Sequence, residues 1–160
     1  MFNLKNDFYL QIILVFSFIA LISAFFIQYV LGHQPCNLCL IERIPYGLNI
    51  ILLITIFTLK KQEKFLILML IFTSVFSLLI SIYHQGIEIG FIQESSICGS
   101  KNLSEILTKE DIFKQLNMKI ISCKDVTFRI FGLSLTSINI VISILFIITL
   151  LKIYLNYEKN

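Results

Sequence analysis

Residues 8–41 read FYLQIILVFSFIALISAFFIQYVLGHQPCNLCLI, a run of 34 residues without Asp, Glu, Lys or Arg. Three more uncharged runs follow, with 16 residues at 44–59, 23 at 65–87 and 22 at 130–151. Together the four runs hold 95 of the 160 residues. A soluble domain of this size could not bury so much Leu, Ile and Phe, because its ratio of surface to volume requires polar coverage. The chain is therefore predicted to be an integral membrane protein.

The overall composition excludes several other classes of protein. The chain is 57% hydrophobic and 14% charged, whereas soluble domains carry roughly 25% charged residues. These values exclude an ordinary soluble enzyme and a disordered chain. The net charge of +3 is small and its basic residues are scattered, so the chain offers no continuous footprint for phosphates. We predict a protein embedded in the lipid bilayer, with no nucleic acid partner.

Four stretches are long enough to cross a bilayer as helices. The hydrocarbon core is about 30 Å thick, so a helical span needs about 20 apolar residues. The predicted spans are approximately residues 8–31, 40–59, 65–83 and 130–151. The first could also be a secretory signal, but its length and the lack of an A-x-A cleavage site favour an uncleaved anchor. The predicted fold is an all-α membrane protein, a four-transmembrane-helix bundle forming one domain over residues 1–160.

Charge in the short loops sets the predicted orientation. Four spans place both termini and the 60–64 connection on one side, and the 32–39 and 84–129 loops on the other. Residues 60–64 hold three lysines, and the positive-inside rule is counted over short loops. The long 84–129 loop carries six basic residues of its own, so the raw totals nearly tie. The short loops and the ends favour cytoplasmic termini and two outward-facing loops.

The second outer loop has a helical pattern of its own. Its apolar residues recur at helical spacing between polar ones, at Leu103, Ile106, Leu107, Ile112, Phe113 and Leu116. Residues 108–111 resemble a capping box, with Asp where Glu or Gln is usual. The pattern predicts a short amphipathic helix on the membrane surface or, equally, a small cap packed over the bundle.

All four cysteines fall in the two outer loops. Cys36 and Cys39 lie in the first, and Cys98 and Cys123 lie in the second. An even number of cysteines on an oxidising face suggests disulfides. With the opposite topology the same cysteines would be reducible or metal-binding, so the redox interpretation depends on the orientation. Cys98 and Cys123 are 25 residues apart, which is typical of a long-loop disulfide.

The C-x-x-C spacing of residues 36–39 suits thiol–disulfide exchange. Exchange needs an attacking thiolate and a stabilised leaving thiolate, and such pairs often contain a thiol of lowered pKa. Cys39 lies where the second span begins, at the positive end of a helix dipole. Arg43 follows four residues later on the same helical face, where it can stabilise a Cys39 thiolate. The alternatives are a static disulfide or half of a zinc site, which usually needs two close pairs or added histidines.

Glu42 and Arg43 are predicted at membrane depth, where charges are expensive and tend to be functional. The alternative is snorkelling to the interface or a local salt bridge. His84 ends the third predicted span beside Gly86, on the same side as Arg43. A single histidine there is more often an interfacial hydrogen-bonding residue than a catalytic one. Other polar residues in the spans are predicted to form interhelical hydrogen bonds: Gln28, Asn49, Ser81 and Asn139.

Three segments resemble one known family. Residues 35–43, PCNLCLIER, resemble the P-C-x-x-C-x-x-E-R signature of the DsbB/DsbI disulfide bond formation proteins of bacterial inner membranes. Residues 83–88, YHQGIE, resemble the Y-H-x-G-x-E run that many members carry before the third cysteine. Cys123, followed by FGLSL at 131–135 and by Asn139, is similar to the family's fourth-cysteine block. The resemblance covers nearly the whole chain, including the four spans and the cysteine order.

The resemblance implies a quinone-coupled protein-disulfide oxidoreductase. Family members reoxidise a soluble periplasmic thiol oxidase, DsbA, and pass two electrons to a membrane quinone, either ubiquinone or menaquinone. By position, Cys36 and Cys39 would face the quinone, with Cys39 as the thiolate that donates to the quinone ring. Cys98 and Cys123 would exchange with DsbA, and Cys98 would form the mixed disulfide.

The resemblance also implies a binding site for the quinone that includes Arg43, Glu42 and His84, and no resident metal. The chain departs from the family where many members have a Trp after the fourth cysteine, because it has no Trp and Phe128 stands there. The proline often found there is also absent. These departures concern how the loop docks and which DsbA-like partner is used. Two other hypotheses are a non-enzymatic membrane protein with disulfide-stapled outer loops that binds a partner, and a Cys-ligated metal site.

The predicted orientation is tested by a reporter fused after Asn160. A reporter that is active only in the cytoplasm should be active there, because the lysines of residues 60–64 hold that side inside. A matched fusion in the 32–39 loop should be inactive with the same reporter. The opposite pattern would invert the topology and remove the argument for disulfide chemistry.

Overall fold

A computed structural model describes residues 4–59, 62–93, 98, 123–124, 129–130 and 132–158. The amphipathic helix predicted within residues 103–116 lies outside these described residues and stays a prediction. The same holds for Phe128, where the chain departs from the family pattern.

The structure confirms an all-α fold, and its described residues include four helical stretches that are long and apolar enough to cross a membrane. The elements are α1 (Leu4–Tyr29), α2 (Asn37–Ile41), α3 (Arg43–Leu59), α4 (Glu63–Glu88), β1 (Arg129–Ile130), β2 (Leu133–Ser134) and α5 (Leu135–Glu158). The stretches long and apolar enough to cross a membrane are Asn6–Tyr29, Asn37–Leu59, Glu63–Glu88 and Leu135–Asn156. Large apolar side chains cover the outside of the bundle, with Phe72 69% and Ile51 62% exposed, as expected of a surface that faces lipid.

The second span is interrupted at Glu42. Pro45 has no N–H to donate to the carbonyl of Ile41, four residues earlier, so α2 ends at Ile41 and α3 begins at Arg43. The backbone N–H of Glu42 still donates to the carbonyl of Leu38 at 2.9 Å. Glu42 and Arg43 therefore lie at a joint between two helices, and their side chains point to different neighbours.

Helix α4 extends five residues beyond the predicted end of the third span, to Glu88. The sequence suggested a loop from residue 84 because the residues become polar there. His84 is 2% exposed, and its ring nitrogen Nδ1 lies 3.0 Å from Glu42 Oε1. Glu88 accepts a hydrogen bond from Thr136. Because Glu42 and Thr136, from distant parts of the chain, satisfy these polar groups, the helix continues through them.

The last helix begins at Leu135, five residues after the predicted start of the fourth span. The residues before it form a short antiparallel hairpin, in which Arg129 pairs with Ser134 and Ile130 with Leu133. Gly132 has φ +83°, a left-handed conformation that two-residue hairpin loops require. The hairpin therefore delays the start of α5.

The helices pack in chain order and leave one gap. Helix α1 packs on α3, α3 on α4, and α4 most extensively on α5, whereas α1 and α5 hardly touch. A buried apolar core joins the four helices towards the end that carries the termini: Leu10, Ile13, Leu53, Ile56, Ile67, Leu70, Phe146, Leu150 and Ile153. The space between α1 and α5 at the opposite end of the bundle becomes a cavity.

The predicted interhelical hydrogen bonds are present between the spans. Asn49 accepts from Thr73, and Asn139 donates to Ser81 at 2.7 Å. Gln28 accepts from Arg43. Such bonds satisfy polar side chains that lipid could not, and they fix the rotation of the helices around the cavity.

Candidate active site

The cavity between α1 and α5 has a volume of about 320 Å³. Apolar side chains of α1 and α5 line most of it, including Phe16, Ile19, Ile27, Ile138 and Ile142. Its polar end carries the predicted site residues Cys36, Cys39, Glu42, Arg43, His84 and Cys123. A largely apolar cavity with a few converging polar groups is the usual form of a small-molecule site.

The two cysteine pairs meet beside this cavity. Cys98 and Cys123 form a disulfide with a Cα–Cα distance of 5.5 Å, and Cys36 and Cys39 are free thiols. One buried cluster contains Cys36, Cys98 and Cys123 together with Leu38 and Ile87, and Cys39 packs against it. The tertiary structure therefore brings a disulfide and a dithiol from separate parts of the chain into contact.

Gly86 allows the chain to fold closely over the cysteine cluster. Its carbonyl accepts hydrogen bonds from the backbone N–H groups of Phe91 and Ile92, both at 2.9 Å. A Cβ atom at Gly86 would lie 2.6 Å from Cδ1 of Ile92, which is closer than van der Waals contact allows. Because Ile92 packs against this cluster, a side chain at position 86 would displace Ile92 from it.

Cys36 is the N-cap of α2, and its sulfur is surrounded by groups that favour a thiolate. Its Sγ accepts the backbone N–H of Cys39 at 3.2 Å and lies 3.6 Å from Nε2 of His84. The pKa of Cys36 falls to about 5, because the Cys39 side chain hydrogen-bonds to its sulfur and His84 adds a hydrogen bond and positive charge, although burial acts in the opposite direction. These contacts favour the thiolate on Cys36.

The described contacts of Arg43 are not those that its spacing from Cys39 suggested, and the predicted role of the Cys39 thiolate stays a prediction. The N-cap position belongs to Cys36, so the backbone N–H at the start of α2 points to that sulfur. Both hydrogen bonds of Arg43 among the described residues go to α1, where Nη1 donates to Gln28 Oε1 at 2.5 Å and Nη2 to the Ala24 carbonyl at 3.4 Å. The guanidinium also lies 5.3 Å from the centre of the Phe25 ring. Arg43 thus joins α3 to α1 at the wall of the cavity.

His84 is the centre of a buried polar network. Its Nδ1 lies 3.0 Å from Glu42 Oε1 and 3.3 Å from Thr136 Oγ1. The other oxygen of Glu42 accepts from Asn139 Nδ2 at 3.3 Å. Because a carboxylate only accepts hydrogen bonds, Nδ1 is the donor to Glu42, and Nε2 faces the Cys36 sulfur. Glu42 is 12% exposed and turned into the bundle, which does not fit a side chain that snorkels to the interface.

The structure brings together the residues predicted for the site, and their individual roles stay predictions. Six of them line the cavity, and Cys98 is joined to it by its bond to Cys123. Glu88 and Thr136 were not among the predicted site residues. Glu88 lies four residues after His84, a spacing that would have indicated a shared helical face if the helix had been predicted to continue. Thr136 carries no comparable signal, since only the packing of α5 on α4 places it there.

The chain is similar to a known protein family and to a bacterial protein. The family described as "Disulfide bond formation protein DsbB" matches residues 6–153. The chain is 32% identical to an uncharacterized protein of Rickettsia prowazekii (strain Madrid E) over 165 aligned residues, covering 98% of this chain and 94% of that protein. No solved structure matches the chain.

The lowered pKa of Cys36 predicts an unusual pH dependence of alkylation. In the reduced protein, Cys36 should be alkylated at a nearly constant rate between about pH 6 and about pH 8, and more slowly as the pH falls through 5. The alkylation rate of an ordinary thiol falls roughly tenfold for each pH unit by which the pH drops over that range, because its pKa is about 8.5 and only the thiolate reacts. Pulsed alkylation followed by peptide mass spectrometry measures the rate at each cysteine.

The variant His84→Gln should move the Cys36 profile to higher pH, because it removes positive charge and a donor from the thiolate. The matched control is His33→Gln, which changes another histidine lining the same cavity and should leave the profile in place. A Cys36 profile that resembles an ordinary thiol in the unmodified protein would contradict the assignment.

Proposed function

Because the chain belongs to the DsbB family of disulfide bond formation proteins, we propose that it reoxidises a soluble periplasmic DsbA-like dithiol oxidase and passes two electrons to a membrane quinone. As a member of this family, the protein is a disulfide oxidoreductase of the inner membrane, and it crosses that membrane several times. The DsbA-like donor, the quinone acceptor and the assignment of roles to individual residues belong to the proposal.

The observation that carries the proposal is the shared cluster of the two cysteine pairs. Thiol–disulfide exchange requires a thiolate to attack a disulfide sulfur, so two pairs can exchange electrons only if they approach each other. Cys36, Cys98 and Cys123 pack in one buried cluster. Static staples at separate loops would have no need of this contact, whereas a relay depends on it.

The proposed sequence of exchanges balances in electrons and protons. A thiolate of the reduced donor attacks Cys98, giving a mixed disulfide and a Cys123 thiolate. The donor's second thiol resolves the mixed disulfide, so the donor is oxidised and Cys98 and Cys123 become a dithiol. This dithiol reduces a Cys36–Cys39 disulfide by the same chemistry. The described state, with Cys98–Cys123 oxidised and Cys36 and Cys39 as thiols, corresponds to electrons having reached the inner pair.

The cavity suits a quinone. Its apolar walls between α1 and α5 fit an isoprenoid-bearing ring, and its polar end carries Arg43 and His84 beside Cys39. When bound, a quinone accepts two electrons and two protons. Arg43 would hold a ring oxygen with a guanidinium already oriented by Gln28 and Ala24. Glu42 orients His84, so that the imidazole can carry a proton between the thiols and the cavity.

The orientation follows from the same proposal. DsbA-like donors are periplasmic, so residues 32–39 and 84–129 would face the periplasm, and both termini would be cytoplasmic. Helix α2 and the C-terminal end of α4 then hold the cysteine cluster at the outer surface of the membrane. In this position the cluster can meet a soluble donor on one side and a lipid-soluble acceptor on the other.

Trapping the mixed disulfide tests the relay. In Cys123→Ser, the Cys98 thiol attacks the disulfide of the oxidised DsbA-like donor. Without Cys123 the resulting mixed disulfide cannot be converted to a Cys98–Cys123 disulfide, so it should accumulate and be visible on non-reducing gels. The matched variant Cys98→Ser should accumulate far less, because the proposal gives the first exchange to Cys98. Donor oxidation should be lost in Cys36→Ala and in Cys39→Ala. Equal adducts from both serine variants, or intact oxidation in the alanine variants, would refute the relay.

Replacing Arg43 tests the proposed contact with the quinone separately from the exchange with the donor. Arg43→Ala removes a charge-assisted hydrogen bond, worth about 1.5–3 kcal/mol, so the KM for a soluble quinone analogue should rise about 10- to 140-fold. Exchange between the donor and Cys98–Cys123 should continue at its normal rate. The control Lys64→Ala removes a cation at the far end of α4, near Tyr154, and should leave quinone reduction unchanged. An unchanged KM in Arg43→Ala would remove Arg43 from the site.

A further inference from the structure

The inner cysteines and His84 form a cluster whose chemistry goes beyond electron transfer. We propose that the reduced protein binds one thiophilic divalent cation, such as Zn²⁺, through Cys36 Sγ, Cys39 Sγ and His84 Nε2. Metal binding and the Cys36–Cys39 disulfide exclude each other, so the cation holds the pair reduced and inhibits the protein. Only the inhibition rests on the proposed function, because binding itself requires no more than the reduced dithiol.

The distances between the donor atoms fit a metal ion. The three donor atoms all lie within 4.8 Å of one another. Tetrahedral zinc with Zn–S of about 2.3 Å and Zn–N of about 2.0–2.1 Å places a sulfur and a nitrogen ligand about 3.6 Å apart. The distance from Cys36 Sγ to His84 Nε2 is 3.6 Å. Little movement of these two residues is therefore needed to bind the ion.

The hydrogen bonds of His84 resemble those of a metal-binding histidine. Metal-binding histidines almost always donate their other ring N–H to a carboxylate, a carbonyl or water, which fixes the tautomer and the ring orientation. Here Nδ1 is held by Glu42 Oε1 at 3.0 Å, and Asn139 holds the other oxygen of Glu42. This arrangement directs Nε2 towards the thiols. The carboxylate of Glu88, 3.9 Å from Nε2, adds negative charge that favours a cation.

The cluster is buried from bulk water but open to the cavity, which suits the binding of an ion. Cys36 is 5% and His84 2% exposed, so bulk water competes weakly for the ligands. Both residues, with Cys39, line the cavity between α1 and α5, which gives an ion a route in. A set of three protein ligands leaves the fourth tetrahedral position to a water molecule from the cavity.

Binding is balanced without an oxidant or a reductant. The reduced cluster carries one proton on Cys39 and one between Cys36 and Nε2 of His84. The cation replaces both protons, which pass to solvent, and forms bonds to two thiolates and one neutral imidazole. The disulfide form offers no thiolate and therefore does not bind. Conversely, sulfurs held by the metal are not free to form the S–S bond.

Titration with Cd²⁺ tests the site, because thiolate-to-cadmium charge transfer absorbs in the ultraviolet. The full chain is purified in detergent, reduced, freed of reductant without oxygen and titrated in parallel with the double variant Cys98→Ser/Cys123→Ser. We expect one Cd²⁺ per chain bound at the inner pair in both proteins, with Zn²⁺ competing for it. The double variant in which Cys36 and Cys39 are oxidised to the disulfide should bind none. Bound Zn²⁺ should also protect Cys36 and Cys39 from alkylation.

Matched variants in the same double-serine background identify the ligands. Cys36→Ser and Cys39→Ser should each abolish most of the absorption. His84→Gln should weaken binding at least tenfold, whereas His33→Gln, which changes the other histidine of the cavity, should have no effect. Glu42→Gln should weaken binding about 10- to 100-fold, as is typical when the hydrogen-bond partner of a metal-binding histidine is replaced. Glu42→Gln keeps the volume of the side chain, so it provides an independent test if His84→Gln fails to fold.

The outcomes separate the metal site from the proposed function. Unchanged affinity in both His84→Gln and Glu42→Gln would overturn the proposal, because the thiols would then bind without the imidazole. Loss of binding in the double-serine background, or binding by the oxidised form, would also overturn it. The titration contains neither a quinone nor a DsbA-like donor. Its failure would therefore leave the relay standing, and failure of the relay assays would leave the metal site standing.

Discussion

The contact between His84 and Cys36 links the inner cysteine pair to the buried polar network behind it. The imidazole is almost completely buried, lies 3.6 Å from the Cys36 sulfur and is held from behind by Glu42. Polar groups inside a bundle are costly unless each has a partner. These contacts therefore hold α2, α4 and the joint before α3 in one arrangement. They also favour the thiolate on Cys36, and they provide the nitrogen that a metal ion would use.

The route to the membrane depends on how the bundle closes. Helices α1, α3, α4 and α5 pack in chain order, and the last contact, between α5 and α1, is nearly absent. The resulting cavity has apolar walls and one reactive end. The break caused by Pro45 separates α2, which carries the inner cysteines, from α3. The chain folds back closely over Gly86 and packs Ile92 against the cysteine cluster. Both features hold the cluster at that end of the cavity. A gap in the packing and two local backbone features thus produce a site between the aqueous and the lipid phases.

The number and approximate position of the spans were predictable from the sequence. The length of an apolar run is a local property, and it can be compared directly with the thickness of the bilayer. The ends of the spans were less predictable. Polar residues at 84–88 indicated a loop, yet α4 includes them, since Glu42 and Thr136 satisfy His84 and Glu88. The start of α5 was also displaced, because a hairpin at residues 129–134 precedes it. In both cases, contacts with distant residues or local pairing outweighed the composition.

The sequence by itself determined the class of protein, the four spans, the candidate residues and, through their resemblance, the family. These features depend on the order and spacing of residues along the chain. Only the tertiary structure decided which groups surround each sulfur. It placed His84 and the α2 N-terminus at Cys36, and it placed the Arg43 guanidinium on α1, although spacing had suggested that Arg43 serves Cys39. The reason is physical: a thiolate is stabilised by groups within a few ångströms, and most of those groups come from other helices, whose rotation and depth no local pattern encodes.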